Sequence, residues 1–265
     1  MGPDTVAKDD DLLSVEEILE TGRMREELEI ARRIQRAFLP KVPPGLQGFE
    51  IDGWNEPCRE TGGDYYDYFR LPGGRLALAI GDVSGHGIGP ALLMANARSA
   101  LRALLQVDKD PADVLGRLND VLVTDMLEDH FMTMFVGVLD MSTKRLRYAV
   151  AGHERPLLLD ARSGEILTLE GKGMPLGVVP GLSYIEGDTV TLRRNDLLVF
   201  LTDGIWEATN RAGEEFGYGR LKAGLLRSRA ASAAAVVAAV KQEVLEFTEG
   251  ARQSDDLTLM ALKAV

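Results

Sequence analysis

Cysteine is almost absent from this 265-residue chain: Cys58 stands alone, so no intrachain disulfide can form, and a reducing compartment, the cytoplasm, is the expected location. Histidine is nearly as scarce. With His86, His130, His153 and one thiol as the whole supply of such ligands, a structural zinc site is not expected. No apolar run approaches the roughly 20 residues that cross a bilayer, and the acidic N-terminus lacks the basic start of a signal peptide. Basic residues are outnumbered: 30 Lys and Arg against 41 Asp and Glu give a formal net charge of −11. That balance excludes non-specific nucleic-acid binding, which needs a basic surface, and suits a protein that gathers cations. Neither a membrane nor a nucleic acid is an expected partner. The apolar share of 45% is that of an ordinary globular protein, which excludes disorder along most of the chain.

Residues 1–13 are polar and acidic and are expected to form a disordered tail. Residues 14–40 read as a linker helix: Ser14 and Glu17 have capping-box spacing, and Met24, Leu28, Ala31, Ile34 and Phe38 step by three or four. Prolines at 40, 43 and 44 then stop it. This helix either packs on its own domain or serves as an arm that pairs with a second copy, giving a homodimer, or with an upstream sensor. Residues 41–265 read as one domain. Strands are expected at 51–54, 65–71, 76–80, 131–139, 145–150, 157–159, 166–169, 197–201 and 257–262, and helices at 90–106, 111–127, 220–227 and 231–247. Paired helices between groups of hairpin-linked strands favour an α+β fold with antiparallel sheets and helices on their outer faces.

The aspartates fall at strand tips. Asp82 ends one apolar strand, Asp203 ends another, and Asp255 and Asp256 open a third. In an antiparallel sheet the C-terminal tip of one strand lies beside the N-terminal tip of its neighbour, so all three tips are expected to share one sheet edge. A hairpin turn centred on Gly73 brings a fourth acid, because it sets Asp64 opposite Asp82. Like charges directly opposite destabilise a sheet, and few basic residues lie near these tips in sequence. A divalent ion is the simplest compensation, and oxygen-only ligation selects magnesium or manganese. Glycines at 62, 63, 81, 85, 87 and 204 permit close backbone approach around such a site.

Four blocks in this order, Gly62-Gly63-Asp64-Tyr65-Tyr66-Asp67, Gly81-Asp82-Val83-Ser84-Gly85-His86-Gly87, Thr202-Asp203-Gly204-Ile205-Trp206-Glu207 and Ser254-Asp255-Asp256-Leu257-Thr258, resemble the signatures of the metal-dependent protein phosphatases. The resemblance is closest to the bacterial branch typified by SpoIIE and RsbU, distant relatives of protein phosphatase 2C. Gln35-Arg36-Ala37-Phe38-Leu39-Pro40 and Ala151-Gly152-His153 support it, so that it spans about residues 30–265. It implies a four-layer αββα sandwich, two antiparallel β-sheets flanked by helix pairs, with a two-ion Mn2+ or Mg2+ centre at one end. Carried over, Asp82 would bridge both ions and the Val83 carbonyl would ligate one. Asp64 would reach one ion directly or through water, and Asp203 and Asp255 would hold the other. Asp67 and Asp256 would orient ligands by hydrogen bonding, with Gly204 beside Asp203. Asp256 stands where eukaryotic relatives have asparagine, so the choice of ligand between Asp255 and Asp256 stays open. His86 and Arg59 are candidates for leaving-group and phosphate contacts, with loop and surface roles equally open. The implied activity is hydrolysis of phosphoserine or phosphothreonine on a small regulatory protein of the anti-sigma-factor-antagonist (STAS) type. No phosphoenzyme is required, so Ser84 and Cys58 read as structural.

Other readings lose on spacing. The Gly-Gly-Asp at 62–64 lacks the Glu-Phe pair of diguanylate cyclases. The glycines after Asp82 fall at +3 and +5, not at the +2 and +4 of histidine-kinase ATPase domains, and no Gly-Lys-Ser/Thr phosphate loop is present. A non-catalytic phosphoprotein-binding or scaffold module of the same fold would be marked by a lost acid, and every expected acid is in place.

Overall fold

A computed structural model of the chain describes residues 15–40, 45–107, 110–126 and 129–265. The expected tail at 1–13, the Ser14 cap, Pro43, Pro44 and the last expected residue of the 111–127 helix lie outside the described residues. Side-chain alternation dictates the architecture. On the hairpin of β2 (Tyr65–Leu71) and β3 (Arg75–Val83), Tyr66, Tyr68, Leu76, Leu78 and Ile80 share one core, while Tyr65, Ala77, Ala79 and Val83 share another. A sheet apolar on both faces must be covered on both.

β2 and β3 continue through β4 (Met132–Asp140), β5 (Arg145–Ala151) and β8 (Val190–Thr191) as one antiparallel sheet, ordered β2-β3-β4-β5-β8. A second sheet has the order β1-β10-β9-β6-β7, built from β1 (Phe49–Glu56), β6 (Leu157–Leu159), β7 (Ile166–Thr168), β9 (Leu197–Leu201) and β10 (Leu257–Ala264). Helices α2 (Ile88–Val107) and α3 (Pro111–Asp125) cover the first sheet through Met94, Leu101, Leu115 and Leu118. The short α4 (Gly204–Glu207), α5 (Gly217–Ser228) and α6 (Ala233–Thr248) cover the second. Between the sheets Phe135 meets Phe200 edge-on, with ring centroids 5.1 Å apart. This is the four-layer αββα sandwich that the resemblance implied.

Two expectations need correction. The aspartate-bearing strands do not share one sheet edge: β3 belongs to the first sheet, β9 and β10 to the second. Of the three tips expected on one edge, those of Asp203 and Asp255 are adjacent within a sheet, and the meeting with Asp82 is across the sandwich. In addition, β8 and α4 were not foreseen, because two and four residues carry no measurable period.

The first helix, α1 (Val15–Phe38), is seated on the domain by its last turn. Arg98 of α2 donates to the Phe38 carbonyl at 3.1 Å and lies over the Phe38 ring at 4.9 Å.

Candidate metal centre

The β2–β3 register pairs Tyr65 with Gly81, which carries on to Asp64 opposite Asp82, as the turn arithmetic required. Both aspartates follow the alternation of Tyr66 and Ile80 and so face the second sheet. On that sheet the same alternation through Leu198, Phe200, Met260 and Leu262 delivers Thr202 and Thr258. Their hydroxyls donate to Asp64 Oδ2 at 2.7 and 2.5 Å. One buried carboxylate of the first sheet is thereby held by two tips of the second.

Asp82 stands at the centre of this rim. Burial pushes its pKa up to about 8, helped by the charges of Asp203, Asp255 and Asp256, and the adjoining Asp64 works in the opposite direction. Asp64 is raised by burial, then by Asp82 and Asp256, against the two threonine hydroxyls. Asp203 and Asp255 are raised by burial, with Asp255 acting on Asp203 and Asp256 on Asp255. The Asp256 N–H bond and the nearby His86 pull Asp255 the other way. Mutual repulsion of carboxylates leaves a deficit of positive charge here.

The two adjacent aspartates differ in their contacts. Asp256 is buried and accepts backbone N–H bonds from Cys58 at 2.7 Å, Gly63 at 2.8 Å and Asp64 at 3.4 Å. Asp255 is partly exposed and accepts from its neighbour's N–H at 2.8 Å through Oδ1 alone. The chain crowds Asp256 so closely that a Cβ on Gly62 would lie 1.9 Å from its Oδ2, and one on Gly204 would lie 2.1 Å from its carbonyl oxygen. Only glycine fits at either position. Asp203 caps α4 by accepting from the Gly204 N–H at 2.9 Å.

Asp67 is elsewhere. Three residues along β2 it faces the helices, where Arg102 grips it through two bonds of 2.7 and 2.8 Å and the Tyr65 hydroxyl donates at 2.5 Å. The expectation that it orients rim ligands is corrected by strand parity: odd and even residues face opposite ways. Arg59 and His86 do come together, lining a cleft of about 220 Å³ with Cys58, Arg252, Gln253 and Ser254. Ser84 is structural: its hydroxyl accepts the Phe131 N–H at 3.1 Å. Burial pushes the Cys58 thiol up to about 12, unlike a nucleophile. His153 is packed, with Nδ1 2.9 Å from the hydroxyl of Thr133, the β4 residue paired with Asp82, and burial pushes its pKa down to about 4.

Sequence reasoning missed Thr202, Thr258, Gln35 and Arg252. The threonines were readable from the alternation of β9 and β10. Gln35 stood in a block that supported the resemblance but carried no sign of a role, yet it is buried against the loop ahead of Asp64. Its Nε2 donates to the Gly62 carbonyl at 2.6 Å, and its Oε1 accepts the Gly62 N–H at 3.1 Å.

The donor set is carboxylates and backbone carbonyls, which fits hard divalent cations. Among the described residues no three His, Cys, Asp or Glu side chains already close on one point. The rim acids are neighbours by charge rather than ligands around a formed cage, as expected of carboxylates whose repulsion is uncompensated. Among the described residues, no helix is long and apolar enough to cross a membrane.

Residues 72–265 match the family described as Stage II sporulation protein E (SpoIIE). The chain is 32% identical over 269 residues to protein IcfG of Synechocystis, covering 91% of this chain and 42% of the relative. It is 30% identical over 190 residues to the phosphoserine phosphatase RsbU of Bacillus subtilis, covering 72% of this chain and 56% of RsbU. The chain thus spans about half the length of these curated relatives. The SiaA-PP2C domain of Pseudomonas aeruginosa shares the fold with a TM-score of 0.81 at 23% identity, covering 93% of this chain and 99% of that domain. With a family match over most of its length and the αββα fold in place, the chain belongs to the SpoIIE family of protein phosphatase 2C-like domains.

Proposed function

We propose that the chain is a metal-dependent protein phosphatase that hydrolyses phosphoserine or phosphothreonine on a small regulatory protein of the anti-sigma-factor-antagonist type. One observation carries the reading: strand register and side-chain alternation bring carboxylates from the tips of four strands in two sheets to a single rim, where burial and neighbouring acids keep their pKa values raised. A relative named for phosphoserine hydrolysis supports the choice of ester.

Asp82, the Val83 carbonyl, Asp203 and Asp255 would hold two Mn2+ or Mg2+ ions, and Asp64, steadied by Thr202 and Thr258, would back them. Bound there, such ions would neutralise the approaching phosphate dianion and lower the pKa of a water to make the nucleophile. The protein's own part is positional. Asp256 has spent its oxygens on backbone N–H groups and fixes the Gly62–Asp64 loop, which leaves Asp255 as the ligand of the pair. Arg59 and Arg252 would meet phosphate oxygens, and His86, exposed beside Asp255, would stand by the leaving oxygen. The exposed Met24, Ile30 and Ile34 of α1 would pair with a second copy. Deleting residues 1–30, which spares Gln35, should then convert a dimer to a monomer by light scattering.

The decisive assay is p-nitrophenyl phosphate with manganese, then with excess chelator. Turnover that vanishes with chelator and returns on adding metal is expected, and turnover indifferent to chelator contradicts the metallophosphatase. Heat on titrating manganese into the metal-free protein separates binding from catalysis.

A further inference from the structure

A cleft of about 840 Å³ lies beside the rim. It is walled by Glu154 and Arg155 after β5, by Thr168 at the end of β7 with Gly171, Lys172 and Gly173 beyond it, and by Tyr218 and Lys222 of α5. Tyr218 stacks on Trp206, three residues past Asp203, with ring centroids 4.7 Å apart; burial and Glu154 raise its phenol most, and the charges of Asp203 and Glu207 add to that. The inner end of the cleft therefore abuts the carboxylates. Its volume lies in the range of roughly 300–1,000 Å³ typical of ligand sites, whereas the 220 Å³ cleft by Arg59 suits a phosphate group.

Two of its charges are already used. Glu154 accepts from the Tyr218 hydroxyl at 3.2 Å, and Arg155 is held by Glu170 at 2.9 Å. Lys172 and Lys222 are exposed, and among the described residues neither makes an ion pair; Lys222 lies 6.0 Å from the Tyr218 ring centroid. Free cations in a chain of net charge −11, next to acids that would repel an acidic segment, mark a place where negative charge is wanted. The wall is also fixed. A Cβ on Gly171 would lie 2.4 Å from Val150 Cγ2 and one on Gly173 2.3 Å from the Val150 carbonyl oxygen, so this strip is pressed flat against β5.

We infer that this cleft receives the acidic flank of the phosphorylated substrate protein, gripped by Lys172 and Lys222 while the phosphoresidue lies at the rim. The inference rests on the phosphatase reading for its substrate, and its test is separable from that reading. Fluorescence anisotropy would follow binding of a labelled phosphoserine peptide flanked by glutamates, and of the same peptide with glutamines, to wild type and to a K172E/K222E variant. The variant should bind the glutamate peptide roughly tenfold more weakly and the glutamine peptide within about twofold of wild type. Its manganese-dependent turnover of p-nitrophenyl phosphate should stay unchanged. The proposal is overturned if wild type shows no preference for the glutamate peptide, or if the variant retains it, or if both peptides weaken equally. Should wild type hydrolyse no ester yet prefer the glutamate peptide, and the K172E/K222E variant lose that preference, the phosphatase reading fails and the cleft assignment stands.

Discussion

Asp67 and Asp82 sit on adjacent strands of one hairpin, and their surroundings are opposite. Asp67 faces the helices and is completely buried, with both oxygens on Arg102 and a third bond from Tyr65. Asp82 faces the other sheet at the rim, where its charged neighbours are Asp203, Asp255 and Asp256. A buried carboxylate with its own guanidinium is a clamp, here tying α2 to β2. Buried carboxylates surrounded by carboxylates are tolerable only if protonated or if a cation comes from outside. Burial alone does not make an acid functional; an unmatched charge does.

Exchanging the two should give opposite phenotypes. Asp82→Asn or Asp203→Asn should cost on the order of 10³-fold or more in manganese-dependent phosphopeptide turnover. The metal-free Asp82→Asn protein should melt no lower than wild type, because a neutral amide takes the place of a carboxyl that the fold must hold protonated. Near-normal turnover, or a much lower melting point, would contradict the assignment. Asp67→Asn should instead cost about 3 kcal/mol of stability, the low end for a broken buried pair because Arg102 is partly exposed. Manganese should not restore that loss in a thermal melt.

The contrast also predicts a pH profile. A carboxyl whose folded-state pKa lies above its unfolded value of about 3.9 keeps its proton in the fold, so stability falls as pH rises between the two. With Asp82 pushed up to about 8 and Asp64, Asp203 and Asp255 raised in the same direction, metal-free stability should decline from about pH 4 to about pH 8. The limit is about 1.4 kcal/mol per pH unit for each proton retained. Manganese, by replacing those protons, should flatten the decline. Melting temperatures that do not depend on pH without metal would remove the electrostatic argument for the site.

The ends of the strands were legible because apolar runs terminate visibly in Asp82, Asp203 and Asp255, and because Gly73 sets the hairpin register by counting. What escaped was whatever depended on the third dimension. Membership of β3 in one sheet and β9 in the other is decided by how the two apolar faces stack, and the period of a single strand carries no trace of it. Asp67 was misplaced because nearness in sequence was read as nearness in space, although its odd separation from Asp64 already put it on the opposite face. Thr202 and Thr258 could have been placed by continuing the alternation one step beyond Phe200 and Met260. Gln35 and Arg252 had no such handle, since each acts across a contact between distant segments.

Gln35 offers the smallest effect and the finest test. The Gly62–Gly63 strip is held from three sides: Gln35 takes both polar groups of Gly62, Asp256 accepts the Gly63 N–H, and the Gly63 carbonyl accepts the Val83 N–H at 3.3 Å. The last turn of α1 is thus joined through one strip to the tips of β10 and β3, and to the loop that delivers Asp64. Gln35→Ala would leave a buried N–H and a buried carbonyl without partners, at about 1–3 kcal/mol. Arg36→Ala, one residue on, removes only an exposed 3.7 Å pair with Glu56 and should cost below about 1 kcal/mol. If the strip transmits the helix position to the rim, Gln35→Ala should also weaken manganese binding in calorimetry while Arg36→Ala leaves it alone. Equal manganese affinities in the two variants would reduce α1 to packing.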